Sequence, residues 1–333
     1  MSVAAEQLPS LDGRVHRLDA GGTVVGVHFL KNTPVFVLGE EALLFTGESE
    51  RRVKVHSGAI LASVSDGERI ITGGDDGHVA ATGDNGEPRV VAVDNKKRWV
   101  DQVALAPDGA VAWSAGKTAH VLTKRGEGRS FEAPSTVAGL AFAPKGFRLA
   151  IAHYNGATLW FPNATGAAPQ KLEWKGSHLG ITVSPDGRFV VTMMQEPTLH
   201  GWRISDGQHM RMSGYSARVR SLGWTADGDF LATSGSVQLI LWPFDGKDGP
   251  MGRQPMLLAK REARVTVVSC HPRQPVIATG YADGTVLLVR IDDGTLILVR
   301  QGDGGPVSAI GWDPAGQILA YGTEAGRAGL LRL

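Results

Sequence analysis

The 333-residue chain has few of the features on which secreted proteins, membrane proteins and many enzymes depend. Cys270 is its single cysteine, which excludes an internal disulfide, a thiolate zinc cluster and an iron–sulfur site. The segment Met1–Asp12 has neither a basic nor an apolar region, so we expect no signal peptide. No apolar run approaches the roughly 18 residues that span a membrane. These absences predict a soluble protein of the cytoplasm.

A surplus of charge of one sign is missing as well. Lys and Arg together number 34, Asp and Glu number 33, and the net charge is +1. The longest basic run is the short cluster Lys96-Lys97-Arg98. This balance argues against nucleic acid as the partner, because nucleic-acid-binding domains present a strongly basic surface. The Ala- and Gly-rich composition, with more Arg than Lys, favours a bacterial origin.

Catalytic motifs are not found. The chain has no Gly-x-Ser-x-Gly elbow, no His-Glu-x-x-His and no glycine-rich dinucleotide loop. Gly116-Lys117-Thr118 is similar to the end of a phosphate-binding loop, but Val111 stands where the leading glycine belongs and a strand pattern follows. We therefore predict a protein that is not an enzyme and holds no cofactor.

What the chain does have is a repeat of short alternating apolar segments separated by tight turns. Its turns recur at a spacing of about 40 residues, which is typical of β-propeller blades. They fall at Asn32, Gly67, Gly109, Gly146, Gly187, Gly228, Gln274 and Gly316. The repeat predicts an all-β, eight-bladed propeller with four-stranded antiparallel blades, and seven blades are the alternative.

The two ends of the repeat predict how the ring closes. The last unit stops at its third strand, Leu330–Leu333, and one spare strand, Arg14–Leu18, precedes the first unit. Pairing the spare strand with the terminal one completes the last blade and hides its edge. We therefore assign residues 14–333 to one propeller domain and residues 1–13 to an N-terminal tail.

Several segments resemble the WD40-repeat family. The seventh unit, Val276–Val286, is similar to the family's pattern of strand, Asp-Gly turn and strand, and Ser184–Gly187 and Trp202 fit that pattern. No unit ends in Trp-Asp, however, and the opening Gly-His pair survives only loosely at Gly176-Ser177-His178. The resemblance implies a propeller that binds other proteins. The family's buried Asp–His–Ser–Trp set is nowhere complete.

The tryptophans and histidines have structural explanations. Six tryptophans lie inside strand patterns, so we expect them in the core; they are Trp113, Trp160, Trp202, Trp224, Trp242 and Trp312. Histidines occur at non-equivalent positions of the units, and His28 is the one expected nearest the central channel. Ligands of one metal ion must converge on one point, so structural histidines are favoured over a metal site.

Aromatic and basic residues collect on the face built by loops that join second to third strands and fourth to first strands. Tyr, Trp and Arg are the residue types enriched in binding hot spots. The candidate partner-binding residues are Arg98, Trp99, Tyr154, His178, Tyr215, Arg218, Arg264, Tyr281 and Tyr321. The alternative is that these tyrosines pack against neighbouring blades and the arginines are only solvated.

These observations predict a non-enzymatic, monomeric scaffold that binds a protein or an acidic peptide on the loop face. Two alternatives remain open. One is a propeller that senses or delivers a metal or small ligand, and the other is a hydrolase with a metal in its channel.

Overall fold

The computed structural model describes residues 8–47, 49–164, 166–303 and 305–333. Within them the chain forms thirty strands and a 3₁₀ helix at Asp12–Arg14. The first fifteen strands are β1 His16–Asp19, β2 Val24–Leu30, β3 Thr33–Leu38, β4 Ala42–Thr46, β5 Glu50–Lys54, β6 Ile60–Ser65, β7 Arg69–Gly74, β8 His78–Gly83, β9 Pro88–Val93, β10 Val103–Leu105, β11 Val111–Ala115, β12 Thr118–Leu122, β13 Gly128–Glu132, β14 Gly139–Phe142 and β15 Leu149–Trp160.

The second half of the chain continues in the same way. Its strands are β16 Gln170–Val183, β17 Phe189–Met194, β18 Leu199–Arg203, β19 His209–Met212, β20 Leu222–Trp224, β21 Phe230–Thr233, β22 Leu239–Pro243, β23 Met256–Leu258, β24 Val265–Cys270, β25 Val276–Tyr281, β26 Val286–Arg290, β27 Leu296–Arg300, β28 Val307–Trp312, β29 Ile318–Thr323 and β30 Arg327–Arg332. Most consecutive strands within a sheet are joined by short turns, and the connection from β22 to β23 is a longer loop.

Hydrogen bonding groups these strands into seven separate sheets, of which six have four strands and one has six. Counted as separate sheets, the blades number seven, so the prediction of eight was wrong and the alternative is correct. The six-stranded sheet covers the fourth and fifth sequence units. Its strands β15 and β16 run without a break: β15 pairs with β14 at Ala152 and with β16 at Leu159, and β16 continues to pair with β17.

The predicted N-terminal strand lies beside the C-terminal one. Strand β1 pairs antiparallel with β30, from His16 opposite Leu330 to Asp19 opposite Arg327. Before it, the segment predicted as a tail follows the edge of β27, because Leu11 N–H donates to Leu298 O at 2.7 Å. The N-terminal segment therefore covers the outer edges of the last two sheets and joins them.

Glycines at the ends of second strands lock neighbouring blades together. A methyl group at Gly280 would lie 2.6 Å from Cβ of Val307 in the next blade. The same arrangement holds between Gly322 and Val24, which brings the last unit against the first. Both valines are fully buried. Because these two glycines have no side chain, the first strand of the neighbouring blade can pack directly against them.

The six tryptophans expected in the core all belong to it or pack against it, but they differ in burial. Trp202 and Trp242 are buried, whereas the other four are half-buried. Trp224 donates from Nε1 to Thr182 Oγ1 at 2.9 Å, and Trp312 donates to Ser269 O at 3.1 Å. These two indoles bridge the first strands of adjacent blades, and their rings also pack against apolar core clusters. No helix in the described residues is long and apolar enough to cross a membrane.

Candidate partner-binding face

The loop between β9 and β10 carries the most exposed aromatic residue of the candidate set. Arg98 donates from Nη2 to Asp94 Oδ1 at 2.7 Å, and its backbone N–H donates to Asp94 Oδ2 at 2.9 Å. These hydrogen bonds hold the pKa of Asp94 at about 2, so the pair stays charged at neutral pH. Lys97 has a φ of 52°, a left-handed conformation that a side chain adopts only in a fixed turn. Trp99 follows this fixed loop and is 65% exposed.

The turn inside β15 presents a second exposed aromatic side chain. Tyr154 is 57% exposed, and its backbone N–H donates to Ser135 Oγ at 2.9 Å. Asn155 has a φ of 66°, and its side-chain oxygen accepts a hydrogen bond from Gly176 N–H at 3.1 Å. Tyr154 also borders a groove of about 380 Å³, which Pro134 lines as well. The aromatic ring therefore stands on a turn fixed from both sides.

Contacts across the third unit connect these two turns. The guanidinium of Arg98 lies over Gly116, and Lys117 O accepts from Ala133 N–H at 2.8 Å, two residues before Ser135. We call the resulting surface the Trp99–Tyr154 sector. Its residues are Lys96, Lys97, Arg98, Trp99, Lys117, Tyr154 and Lys175.

The charge of this sector is predominantly positive. Lys117 pairs with Glu132 at 2.6 Å, and both side chains are exposed. Lys96, Lys97 and Lys175 are exposed, and within the described ranges they form no ion pair. Three lysines are therefore available to an acidic partner beside two exposed aromatic rings.

Arg264 is exposed and Arg218 is half-buried, but both lie elsewhere on the ring. Arg218 donates from Nη1 to Gln195 Oε1 at 3.0 Å, at the junction between β19 and β20. Arg264 follows β23 in the next junction. The structure therefore does not bring them into the Trp99–Tyr154 sector.

Four of the nine candidate residues are buried, so their side chains are not presented to a partner. His178 is fully buried, with Nδ1 2.7 Å from Thr192 Oγ1 and Nε2 3.0 Å from Trp174 O. Burial lowers the pKa of His178 below its ordinary value. Both ring nitrogens already have partners inside the protein, which corrects the placement of His178 on the rim.

The other three buried residues are tyrosines. Tyr215 Oη accepts a hydrogen bond from Trp242 Nε1 at 2.7 Å and lies 2.9 Å from Thr233 Oγ1. Tyr281 is fully buried and donates to Ala259 O at 2.8 Å, and burial raises its pKa to about 12. Tyr321 is 1% exposed. These three tyrosines pack inside the protein, as the alternative interpretation stated, and the prediction that they lie on the binding surface was wrong.

The sequence did not single out Lys117 and Lys175 for this surface. Lys117 lies in the turn between β11 and β12, and Lys175 lies in β16 opposite the turn that carries Tyr154, so only the folded chain brings them to this surface. A signal was present in Tyr154-Asn155-Gly156, because Asn followed by Gly favours a tight hairpin whose tip is exposed.

The histidines do not converge on a metal centre. Among residues 8–333, leaving aside the three internal positions that are not described, no group of three or more His, Cys, Asp or Glu side chains could hold a metal ion. His28 lies on an inner strand, as predicted, and its Nε2 is 2.8 Å from Ser63 Oγ. His200 packs against Trp174 and His209, with ring centroids 4.1 Å and 5.2 Å away, and those two rings also contact each other.

A larger groove of about 640 Å³ lies outside the loop face, between β19 and β23. Trp242, Met251 and Leu257 contribute to its lining, together with Arg211 and Arg253. Its residues mix apolar and polar groups without a recurring chemistry, so size alone does not make it the better candidate.

Comparison with known proteins supports the fold. No family model matches the chain, and no curated protein matches it. Many solved structures are similar. One is the crystal structure of the computationally designed Ika8 protein, with 18% sequence identity, a TM-score of 0.76, and coverage of 95% of this chain and 98% of that chain. At this identity the likeness shows the β-propeller architecture alone.

Proposed function

We propose that this protein is a non-enzymatic interaction scaffold that binds an acidic segment of a partner protein through the Trp99–Tyr154 sector. The observation that carries the proposal is the pair of exposed aromatic rings, Trp99 and Tyr154, each fixed by hydrogen bonds of its own turn. Rigid aromatic side chains lose little conformational entropy on binding, which makes them effective anchors. A propeller with open loops is compatible with this role.

The positive charge of the Trp99–Tyr154 sector favours a partner of the opposite charge. Lys96 and Lys97 precede Trp99 in its loop, Lys175 lies on β16 opposite the turn that carries Tyr154, and the nearby Arg98 is neutralised by Asp94. An acidic segment would satisfy the free lysines and accelerate association through long-range attraction. A neutral or basic segment would leave them unsatisfied.

We also infer that the blades are of the WD40 type. In the second unit, His56 lies 3.0 Å from Asp76 and 2.8 Å from Thr72, all in the buried junction between two blades. The sixth unit has an analogous set in which Tyr215 takes the place of histidine beside Thr233 and Trp242. These sets support the inference, as they resemble the family's junctional hydrogen bonds. A bacterial, cytoplasmic setting and a monomeric ring complete the proposal.

The test is a screen of fluorescent acidic peptides against the full chain, followed by variants tested on the best binder. Trp99→Ala and Tyr154→Ala should each weaken binding by about tenfold or more, the typical loss at an aromatic hot spot. The double charge reversal Lys96→Glu with Lys97→Glu should weaken binding further and remove most of its dependence on salt.

The matched control is Arg218→Ala with Arg264→Ala, which removes a half-buried and an exposed arginine from other junctions of the same face. It should leave peptide affinity unchanged. Equal losses in control and test variants would contradict the assignment of the sector. Failure of every acidic peptide to bind, with neutral peptides binding instead, would contradict the charge argument.

A further inference from the structure

Two buried tyrosines near the end of the chain are each covered by an arginine from the preceding blade, but they differ in one hydrogen bond. The guanidinium of Arg261 lies 5.4 Å from the ring centroid of Tyr281, and that of Arg300 lies 5.6 Å from that of Tyr321. The Tyr281 hydroxyl donates to Ala259 O at 2.8 Å. The Tyr321 hydroxyl is buried and has no hydrogen-bond partner among the described residues. A buried hydroxyl without a partner is costly, so a missing ligand is a physical explanation.

The orientation of Tyr321 follows from the residue beside it. Gly329 is directly opposite Tyr321 in the sheet, and a Cβ at Gly329 would overlap the tyrosine hydroxyl. The ring therefore lies across β30 and points its hydroxyl toward β1, where Arg17 is the partner of Gly329. Tyr321 thus lines a groove of about 400 Å³ at the ring closure, together with Arg17, Arg300 and Arg327.

The three arginines already have carboxylate partners, of which Asp19 and Asp303 are exposed and Asp12 is half-buried. Arg17 pairs with Asp12 at 2.6 Å and Arg327 with Asp19 at 3.4 Å. Arg300 pairs with Asp303 at 2.5 Å; the arginine side chain is 5% exposed and the aspartate side chain 56%. An ion pair with one exposed member contributes little stability, so a ligand can displace that member. When a ligand replaces Asp303, the buried Arg300 guanidinium exchanges one negatively charged partner for another and is never left unpaired.

Arg300 and Tyr321 are therefore hydrogen-bond donors held in fixed positions, and the Asp303 carboxylate is the one acceptor that a ligand can replace. Arg300 also donates from Nη1 to Gly284 O at 3.0 Å, which holds its side chain in place. Burial raises the pKa of Tyr321 to about 12, so its hydroxyl is a donor at neutral pH. Guanidinium groups bind phosphate and carboxylate oxygens through parallel hydrogen bonds.

We propose that the groove formed by Arg17, Arg300, Arg327 and Tyr321 binds a small oxyanion, either phosphate or a compact carboxylic acid. The oxyanion replaces the Asp303 carboxylate against Arg300, accepts a hydrogen bond from Tyr321 and meets Arg17 and Arg327 on its exposed side. Because it contacts β1, β27, β29 and β30, the ligand strengthens the closure of the ring. This site is separate from the Trp99–Tyr154 sector and does not depend on the function proposed for it.

The experiment titrates the full chain with inorganic phosphate and, separately, with citrate at constant ionic strength. Calorimetry measures the affinity, and thermal unfolding measures the stabilisation that binding to the folded state must give. Saturable binding of one anion is expected, and comparison of the two titrations distinguishes phosphate from carboxylate. Absence of saturable binding by both anions would overturn the proposal.

Two variants with matched controls locate the site. Tyr321→Phe should weaken anion binding about tenfold, because a hydrogen bond to a charged ligand is lost, whereas Tyr281→Phe should not change it. Asp303→Asn should tighten binding because the internal competitor loses its charge, whereas Asp283→Asn, beside Arg261, should have no effect. Tyr321→Phe removes only a hydroxyl without a partner, so it should fold as the wild type does. Undiminished affinity in folded Tyr321→Phe would overturn the assignment.

Discussion

Tyr154 and Tyr281 both lie at the ends of second-strand segments, yet one points to solvent and the other into the protein. In the seventh unit Gly280 pairs with Val267 and Tyr281 with Val265. In the fourth unit Ala152 takes the position of Gly280, because it pairs with Gly139 two residues beyond the buried Val137. The position of Tyr281 therefore belongs to the buried His153, and Tyr154 comes one residue later.

A shift of one residue reverses the direction of a strand's side chains, because they alternate between the two faces of a sheet. His153 accordingly lies inside, with Nε2 2.9 Å from Thr158 Oγ1, and Tyr154 is turned outward. The comparison teaches that a shared place near a strand end does not give two residues a shared environment. Register relative to the neighbouring strand decides which tyrosine is available to a partner.

The largest expected effect comes from removing the strand that forms the outer edge of the last sheet. Deletion of residues 1–19 removes β1 and the edge that covers β27, and exposes the row of backbone groups on β30. We expect an aggregation-prone chain without a cooperative unfolding transition, measured by circular dichroism and size-exclusion chromatography. Deletion of residues 1–7 is the control and should fold. Cooperative unfolding of the longer deletion would show that closure by β1 is dispensable.

The second prediction tests the comparison of the two tyrosines directly. Tyr281→Ala leaves a cavity beside Ala259 and Arg261 and should lower the free energy of unfolding by about 3–5 kcal/mol, as for other large buried aromatic residues. Tyr154→Ala should change it by less than about 0.5 kcal/mol, as for exposed positions. Urea unfolding of both variants provides the measurement. Similar losses in the two would contradict their opposite environments.

The smallest predicted effect is a pH dependence from a buried histidine in the fifth unit. Burial lowers the pKa of His200 from 6.5 to about 3, and neither ring nitrogen has a hydrogen-bond partner in the described part of the chain. Between these pH values the unfolded chain binds a proton that the folded chain does not. The free energy of unfolding therefore falls as pH falls through this window, and His200 adds no slope above it.

His200→Phe keeps a ring against Trp174 and His209 and should make the stability curve flatter between pH 6.5 and about 4, measured by urea unfolding at several pH values. His16→Gln, at an exposed position on β1, is the control and should retain the wild-type slope. An unchanged slope in His200→Phe would assign the pH dependence to other groups.

Much of the fold could be predicted from the sequence, because strands and turns depend on local patterns. Alternating apolar residues gave the positions of most strands, and Asp-Gly pairs gave the hairpin turns. The number of separate sheets could not be obtained in this way. Whether β15 and β16 run through a unit boundary depends on how Gly156 and Gly176 bend the backbone against their neighbours, with φ values of 139° and 112°.

The candidate site could be predicted only in part. Arg98, Trp99 and Tyr154 lie where the loop pattern placed them, whereas His178, Tyr215, Tyr281 and Tyr321 are buried. Residue type gave no means of separating the two groups, because a tyrosine suits a binding surface and a blade junction equally well. Whether a tyrosine is buried or exposed depends on the strand that lies opposite it and on the space that the next blade leaves beside it.

The sequence by itself determined that this protein is an all-β propeller, since repeated strands with one apolar face must bury that face against their neighbours. It also determined that the first strand belongs with the last, because the final unit lacks a partner. Only the tertiary structure decided which side chains are exposed and that the Tyr321 hydroxyl, which has no hydrogen-bond partner among the described residues, lies at a groove lined by three arginines. The physical reason is that these properties arise between blades, where residues far apart in the chain share one space.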